Sequence, residues 1–191
     1  MVKILSEKIA ARLLRNEVIE AADYEIYEYG IEQILTNIID VITIIIIGVA
    51  IENVLYGIIF LMAFMALREY AGGYHASTPL RCYLLTVTVI TIVLLIMKYI
   101  EVCYNAGLIM LTVSGLIIIL LSPVESVNKP LDRIERTVYR RKALIIWCLE
   151  TLIAVICTVF HLGDIATCII LAHVVLGISQ ITGLLFHGTA I

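Results

Sequence analysis

Six stretches of this 191-residue chain are apolar over lengths close to what a lipid bilayer requires. A spanning helix takes about 20 predominantly apolar residues, with a range of about 17–25. The candidates cover residues 31–51, 53–67, 79–97, 102–121, 143–162 and 165–186. The second is short, and a re-entrant segment is its alternative reading. All three prolines, Pro79, Pro123 and Pro130, fall between candidates or at the first turn of one, where proline is tolerated. No internal repeat stands out.

Composition agrees with a chain dissolved in lipid. Hydrophobic residues make up 62% and charged residues 15%, against about 45–50% and 25% in soluble domains. The expectation is an all-α, polytopic membrane helical bundle of about six transmembrane helices. Residues 1–30 differ from the rest. There Ile4, Leu5, Ile9, Leu13, Leu14, Val18 and Ile19 recur near helical spacing among charges. This pattern fits an N-terminal amphipathic helix lying in the membrane interface, the alternative being a helix packed on the loops. Residues 31–191 then form the transmembrane part. The N-terminus lacks the short apolar core and cleavage site of a secretory signal.

Basic residues set the expected orientation. Lys3, Lys8, Arg12 and Arg15 precede the first span; Arg68 and Arg81 lie between the second and third. Lys129, Arg133, Arg136, Arg140, Arg141 and Lys142 lie between the fourth and fifth. With six spans all twelve face one side, and only Lys98 faces the other. The expected protein is a multi-pass membrane protein with both termini cytoplasmic. The basic loop 122–142 is accounted for by this positive-inside bias, so no nucleic-acid partner is inferred. Binding of membrane lipids or an acidic peptide stays open.

The five cysteines are Cys82, Cys103, Cys148, Cys157 and Cys168. With no CxxC pair, a disulfide framework or a zinc site is not expected. Four lie in apolar runs, where cysteine acts as a small hydrophobe. Cys82 instead ends the most polar interior stretch, 68–82, which the expected topology puts at the cytoplasmic boundary. Gly72-Gly73 allows a tight turn, and His75 follows. Ser77 or Thr78 reads as a helix N-cap and Pro79 as the first helical residue. Cys82 then sits in a first helical turn, where the helix dipole and Arg81 favour thiolate. A loop that folds His75 back onto this turn makes a Cys–His dyad. Spacing alone does not separate a dyad from an incidental histidine and cysteine beside a turn.

The same stretch resembles the accessory gene regulator B (AgrB) family of membrane cysteine peptidases. The resemblance rests on Arg68, the run Gly72-Gly73-Tyr74-His75-Ala76, and Cys82 seven residues after the histidine. Tyr29-Gly30-Ile31-Glu32, and the run from Ser122 through Pro123, Val124, Glu125 and Lys129 to Leu131, are also similar to the family. The resemblance implies an endopeptidase that cuts an AgrD-like propeptide toward its C-terminal end. It implies Cys82 as nucleophile and His75 as base, then acid. Attack of a substrate cysteine on the acyl-enzyme thioester would give a cyclic thiolactone quorum-sensing peptide. Arg68, Gly72 and Gly73 are implied as site support or substrate-binding residues. Glu69 is a weaker candidate for a third member orienting His75. No cofactor or metal is implied.

A second reading is a non-enzymatic transporter or exporter of a small peptide or ion. Its polar path would use Asp40, Glu150 and His173, since carboxylates within spans are rare and usually face a bundle interior. Asp40 and Glu150 are read as pairing with Arg68 or with each other, or as lining a groove. His173 reads more simply as a hydrogen-bonded packing residue. A bundle this small also leaves room for a homodimer, which no motif demonstrates.

Overall fold

The computed structural model describes residues 2–74, 79–125 and 131–186. Among these residues the chain is helical, with no extended sheet strand: α1 (Val2–Arg15), α2 (Tyr24–Ile51), α3 (Val54–Ala71), α4 (Pro79–Tyr99), α5 (Tyr104–Leu121), α6 (Arg133–Val159) and α7 (Gly163–Phe186). Six helices, α2 to α7, are long and apolar enough to cross a membrane. The protein is all-α and multi-pass, with a further N-terminal helix. It divides into two compact units, Met1–Ile46 and Ile47–Ile191.

In the first unit, α1 buries Ser6 and Ala10 and exposes Ile4 and Leu5. The Tyr24 hydroxyl donates to the Glu7 carbonyl at 3.4 Å. The segment read as 1–30 does not end at residue 30, because α2 begins at Tyr24 and runs unbroken for 28 residues. At 1.5 Å per residue it is about 42 Å long, more than the roughly 30 Å hydrocarbon core. Its acidic first turns therefore extend past the apolar layer.

Three helix ends close in the same way. Val18 donates its amide to the Leu13 carbonyl, Asn53 to Gly48 and Leu162 to Cys157. Each bond spans a residue in the left-handed region: Glu17 (φ 56°), Glu52 (φ 65°) and His161 (φ 59°). This is the six-to-one closure that satisfies orphan carbonyls at a helix C-terminus. The α6–α7 and α2–α3 connections are consequently very short. Gly48 is required in the second, because a Cβ there would lie 2.9 Å from the Val54 Cα.

In the second unit α7 is the central helix, packing on α3, α4, α5 and α6. About 50% of its most apolar stretch is buried, against at most 28% for any other span. Leu67 and Ala71 of α3, Ile118 of α5, Ala143 of α6 and Leu176 of α7 make a common core. Lipid provides no hydrophobic force between helices, so close van der Waals approach matters and small residues collect at the contacts. A Cβ on Gly115 would reach within 2.7 Å of the Trp147 ring, and one on Gly177 would touch Ile117 at 3.5 Å. The outer faces are greasy: Leu120, Leu152 and Leu185 are exposed, as side chains solvated by lipid tails would be.

Two expected boundaries shift. The second span is a full 18-residue helix, α3, whose last turn includes Arg68, Glu69 and Tyr70. The loop 68–82 thus shortens to the residues between Ala71 and Pro79. Much of 122–142 is also helical, because α6 starts at Arg133 behind a capping box. Asp132 accepts from the Glu135 amide at 2.7 Å, and Glu135 accepts from the Asp132 amide at 3.1 Å.

Within the second unit Glu150 finds its partner on α7. Glu150 Oε2 lies 2.9 Å from His173 Nε2, joining α6 to α7 in the interior. His173 is fully buried. Interhelical hydrogen bonds of this kind contribute about 0.6 kcal/mol on average and up to about 1.7. We expect Glu150→Ala to lower the melting temperature of the detergent-solubilised protein, and Glu150→Gln, which keeps a partner, to recover most of the loss. Equal melting temperatures for all three proteins would contradict this role.

Candidate active site

The stretch of chain that leads into His75 is irregular backbone at the end of a spanning helix. Buried backbone of this kind needs partners for its amides and carbonyls. Here it finds them. Gly72 ends α3, its amide donating to the Arg68 carbonyl at 3.0 Å. It takes φ +71°, and Gly73 takes φ +146°, both conformations that side chains oppose. A Cβ on Gly72 would collide with the Val124 carbonyl, and one on Gly73 would sit 2.6 Å from Ser179 Oγ. Both glycines are thus required by a turn and by close approach.

Three elements grip this turn. Val124 donates its amide to the Ala71 carbonyl at 3.0 Å and forms a parallel bridge with Gly72. The stretch Ser122–Glu125, which includes a cis Ser122–Pro123 bond, is tied further to α6 by the Glu125–Arg136 ion pair at 2.8 Å. From α7, the Ser179 carbonyl and hydroxyl both accept from the Tyr74 amide, at 2.9 and 3.1 Å. Gln180 Nε2 donates to the Ala71 carbonyl at 3.0 Å and to Ser122 Oγ at 2.9 Å. From α3, the Arg68 guanidinium donates to the Tyr74 carbonyl at 2.9 Å and lies over the Phe64 ring. Two motifs about fifty residues apart in the chain therefore meet in space.

Cys82 is the fourth residue of α4, a free, half-buried thiol. The helix begins at Pro79, where the sequence puts its first residue. Between the loop and α4 runs an open cleft of about 340 Å³, lined by Tyr74, Arg81, Leu84, Leu85 and Thr88. It reaches from the polar end of the helix into its apolar length. A larger groove of about 690 Å³ follows one face of α6 alone, away from this chemistry. Of the other cysteines, Cys103 and Cys148 are exposed, and Cys157 and Cys168 are buried. Glu69 is exposed on the last turn of α3.

His75, Ser77 and Thr78 lie outside the described residues, so the structure brings Arg68, Gly72, Gly73 and Tyr74 together and leaves the His75–Cys82 distance unstated. Among the described residues no three His, Cys, Asp or Glu side chains gather into a group able to hold a metal ion. Sequence reasoning missed Ser179, Gln180 and Gly183 of α7, and it named Ser122 only as part of a family-like run, without a contact to this turn. The available signal was a glutamine in the middle of an apolar span, an expensive residue to bury without partners.

The family described as accessory gene regulator B (AgrB) matches residues 6–182. A protein named AgrB-like from Clostridium perfringens strain SM101 is 26% identical over 136 residues, 68% of this chain and 62% of the relative. A second, from strain 13 of the same species, is 25% identical over the same extent. The chain thus spans less than two thirds of the length of these clostridial relatives. Accessory gene regulator protein B of Staphylococcus intermedius is 22% identical over 150 residues, 78% of this chain and 80% of that protein. No solved structure matches. With a match that runs from residue 6 to residue 182, this chain belongs to the accessory gene regulator B family.

Proposed function

We propose that this protein is a membrane cysteine endopeptidase that cleaves an AgrD-like propeptide and cyclises the product into a thiolactone quorum-sensing peptide. The observation that carries the reading is the place of Cys82 in the first turn of α4, across a short loop from a turn gripped on three sides. The first turn of a helix directs backbone amides toward its own start, where the sulfur of Cys82 is carried. Family membership supports the role, and the cleft beside Tyr74 and Arg81 offers a channel for an extended peptide.

In this mechanism His75 takes the Cys82 proton as Sγ bonds to the scissile carbonyl carbon. First-turn amides of α4 stabilise the resulting oxyanion. The C–N bond breaks, and His75 returns the proton to the departing amine. A thiol within the substrate then attacks the thioester carbonyl, and Cys82 leaves as the thiol. Exchange of one thioester for another is close to balanced in energy, so water must be kept from the acyl-enzyme. A site at the membrane surface serves this need. Arg68, through its bond to the Tyr74 carbonyl, and Gly72 and Gly73, through their backbone angles, hold the loop rather than react.

The expected results in membranes given a synthetic AgrD-type propeptide are specific. Cys82→Ala abolishes cleavage, and His75→Ala slows it by about 10²–10⁴-fold, the contribution of a general base. Replacing Cys103, Cys148, Cys157 or Cys168 by alanine leaves cleavage within about threefold, these sites lying apart from the chemistry. Full activity without Cys82 would overturn the reading. Proteoliposome flux indifferent to Cys82 but lost with Glu150 would favour the transport alternative, whose path would use the Glu150–His173 pair.

The same reading places the loop on the cytoplasmic face, together with Arg68, Arg81 and the α6 arginines. The opposite end of the unit holds Lys98, which bonds the Ile51 carbonyl at 3.0 Å and Glu52 at 3.3 Å. The exposed Cys103 precedes α5 at that end. In intact cells a membrane-impermeant maleimide should label Cys103, and should label an Arg141→Cys variant only after permeabilisation. The reverse pattern would invert the proposed topology.

A further inference from the structure

The grip of α7 on the glycine turn is more elaborate than helix packing needs. Gln180 is fully buried, yet a leucine would fill similar space without the cost of desolvating an amide. Its Nε2 is committed to two acceptors on two different segments, Ala71 and Ser122. Its Oε1 is buried without a hydrogen-bond partner among the described residues, so the placement is costly rather than incidental. One residue earlier, Ser179 offers both its carbonyl and its hydroxyl to the Tyr74 amide. One turn later, Gly183 lets the loop touch the helix, for a Cβ there would lie 3.1 Å from Gly73 C and Tyr74 N. Residues 179, 180 and 183 form one face of α7, and that face is a saddle for Ala71–Tyr74.

We propose that Ser179 and Gln180 are positioning residues that set the direction in which the chain leaves Tyr74 toward His75. The inference rests on the proposed peptidase reading and adds that α7, remote in sequence from the His–Cys stretch, controls its geometry. Gln180 locks the last carbonyl of α3 to the Ser122 segment. Ser179 locks the Tyr74 amide, and Arg68 locks the Tyr74 carbonyl. The residue that follows is His75. Loss of one lock shifts the imidazole, and a displacement of about 1 Å costs about 10²-fold in rate.

The test reads Cys82 without substrate. The rate of iodoacetamide alkylation at Cys82 is followed by peptide mass spectrometry from pH 5 to 10, in detergent-solubilised wild-type, His75→Ala, Gln180→Leu and Ser179→Ala proteins. A positioned imidazole raises the reactive fraction near neutrality, so wild type should react several-fold faster at pH 7 than His75→Ala. Gln180→Leu should shift its profile toward that of His75→Ala, with the melting temperature retained. Propeptide cleavage by Gln180→Leu should fall about 10–100-fold in kcat, with KM within about threefold. Ser179→Ala, which keeps the backbone acceptor and loses the hydroxyl, should move both readouts the same way by a smaller factor. It decides the matter if Gln180→Leu does not fold. Wild-type profiles and kcat in the folded α7 variants, with His75→Ala clearly slower, would overturn the positioning role and leave the dyad standing. Coincident profiles for wild type and His75→Ala would instead overturn the dyad on which it rests.

Discussion

The Tyr74 amide must be satisfied, and the rest of the site follows from how that is done. The Tyr74 amide lies part-buried in protein, and a buried backbone group left unpaired costs several kcal/mol. A helix satisfies its own amides, but a helix cannot also reverse the chain between one span and the next. The chain therefore breaks at Gly72-Gly73 and meets its needs from elsewhere: Val124 for the Ala71 carbonyl, Ser179 for the Tyr74 amide and Arg68 for the Tyr74 carbonyl. The glycines are fixed by these partners, since any Cβ would press on Val124 or Ser179.

This constraint explains the place of α7. A helix that must touch the end of α3, the Ser122–Glu125 segment and the α6 face has to run through the middle of the unit. It is correspondingly the most buried span. Its small residues admit α5 closely, its His173 takes Glu150 from α6, and Ser179, Gln180 and Gly183 take the loop. The greasy outer faces of α5 and α6 need no such detail, since lipid accepts any apolar side chain.

Much of this was legible in the residues. Runs of isoleucine, leucine and valine announce spans whatever their neighbours do, and Pro79 marks the start of α4 because proline suits a first helical turn. Cys82, Gly72 and Gly73 stood out as polar or flexible residues in an apolar chain. Boundaries read less well. Arg68 to Tyr70 look like loop by polarity, yet the helix continues until Gly72 can stop it. The start of α6 was written in Asp132 and Glu135 as a capping box, but a basic stretch invites reading as loop. The α7 contacts were out of reach, because Ser179 and Gln180 gain meaning only when residues about a hundred positions earlier fold against them. Glu150 likewise had several conceivable partners, and only packing selects His173.

The central claim is that Cys82 carries the acyl group, and its direct test is intact-mass spectrometry of the solubilised protein mixed with a synthetic AgrD-type propeptide. The account predicts a transient mass increase equal to the acyl fragment, mapped to Cys82 and absent from both Cys82→Ala and His75→Ala. A folded protein that binds the propeptide and cleaves it while never carrying the fragment on Cys82, or that carries it without Cys82, would contradict the account.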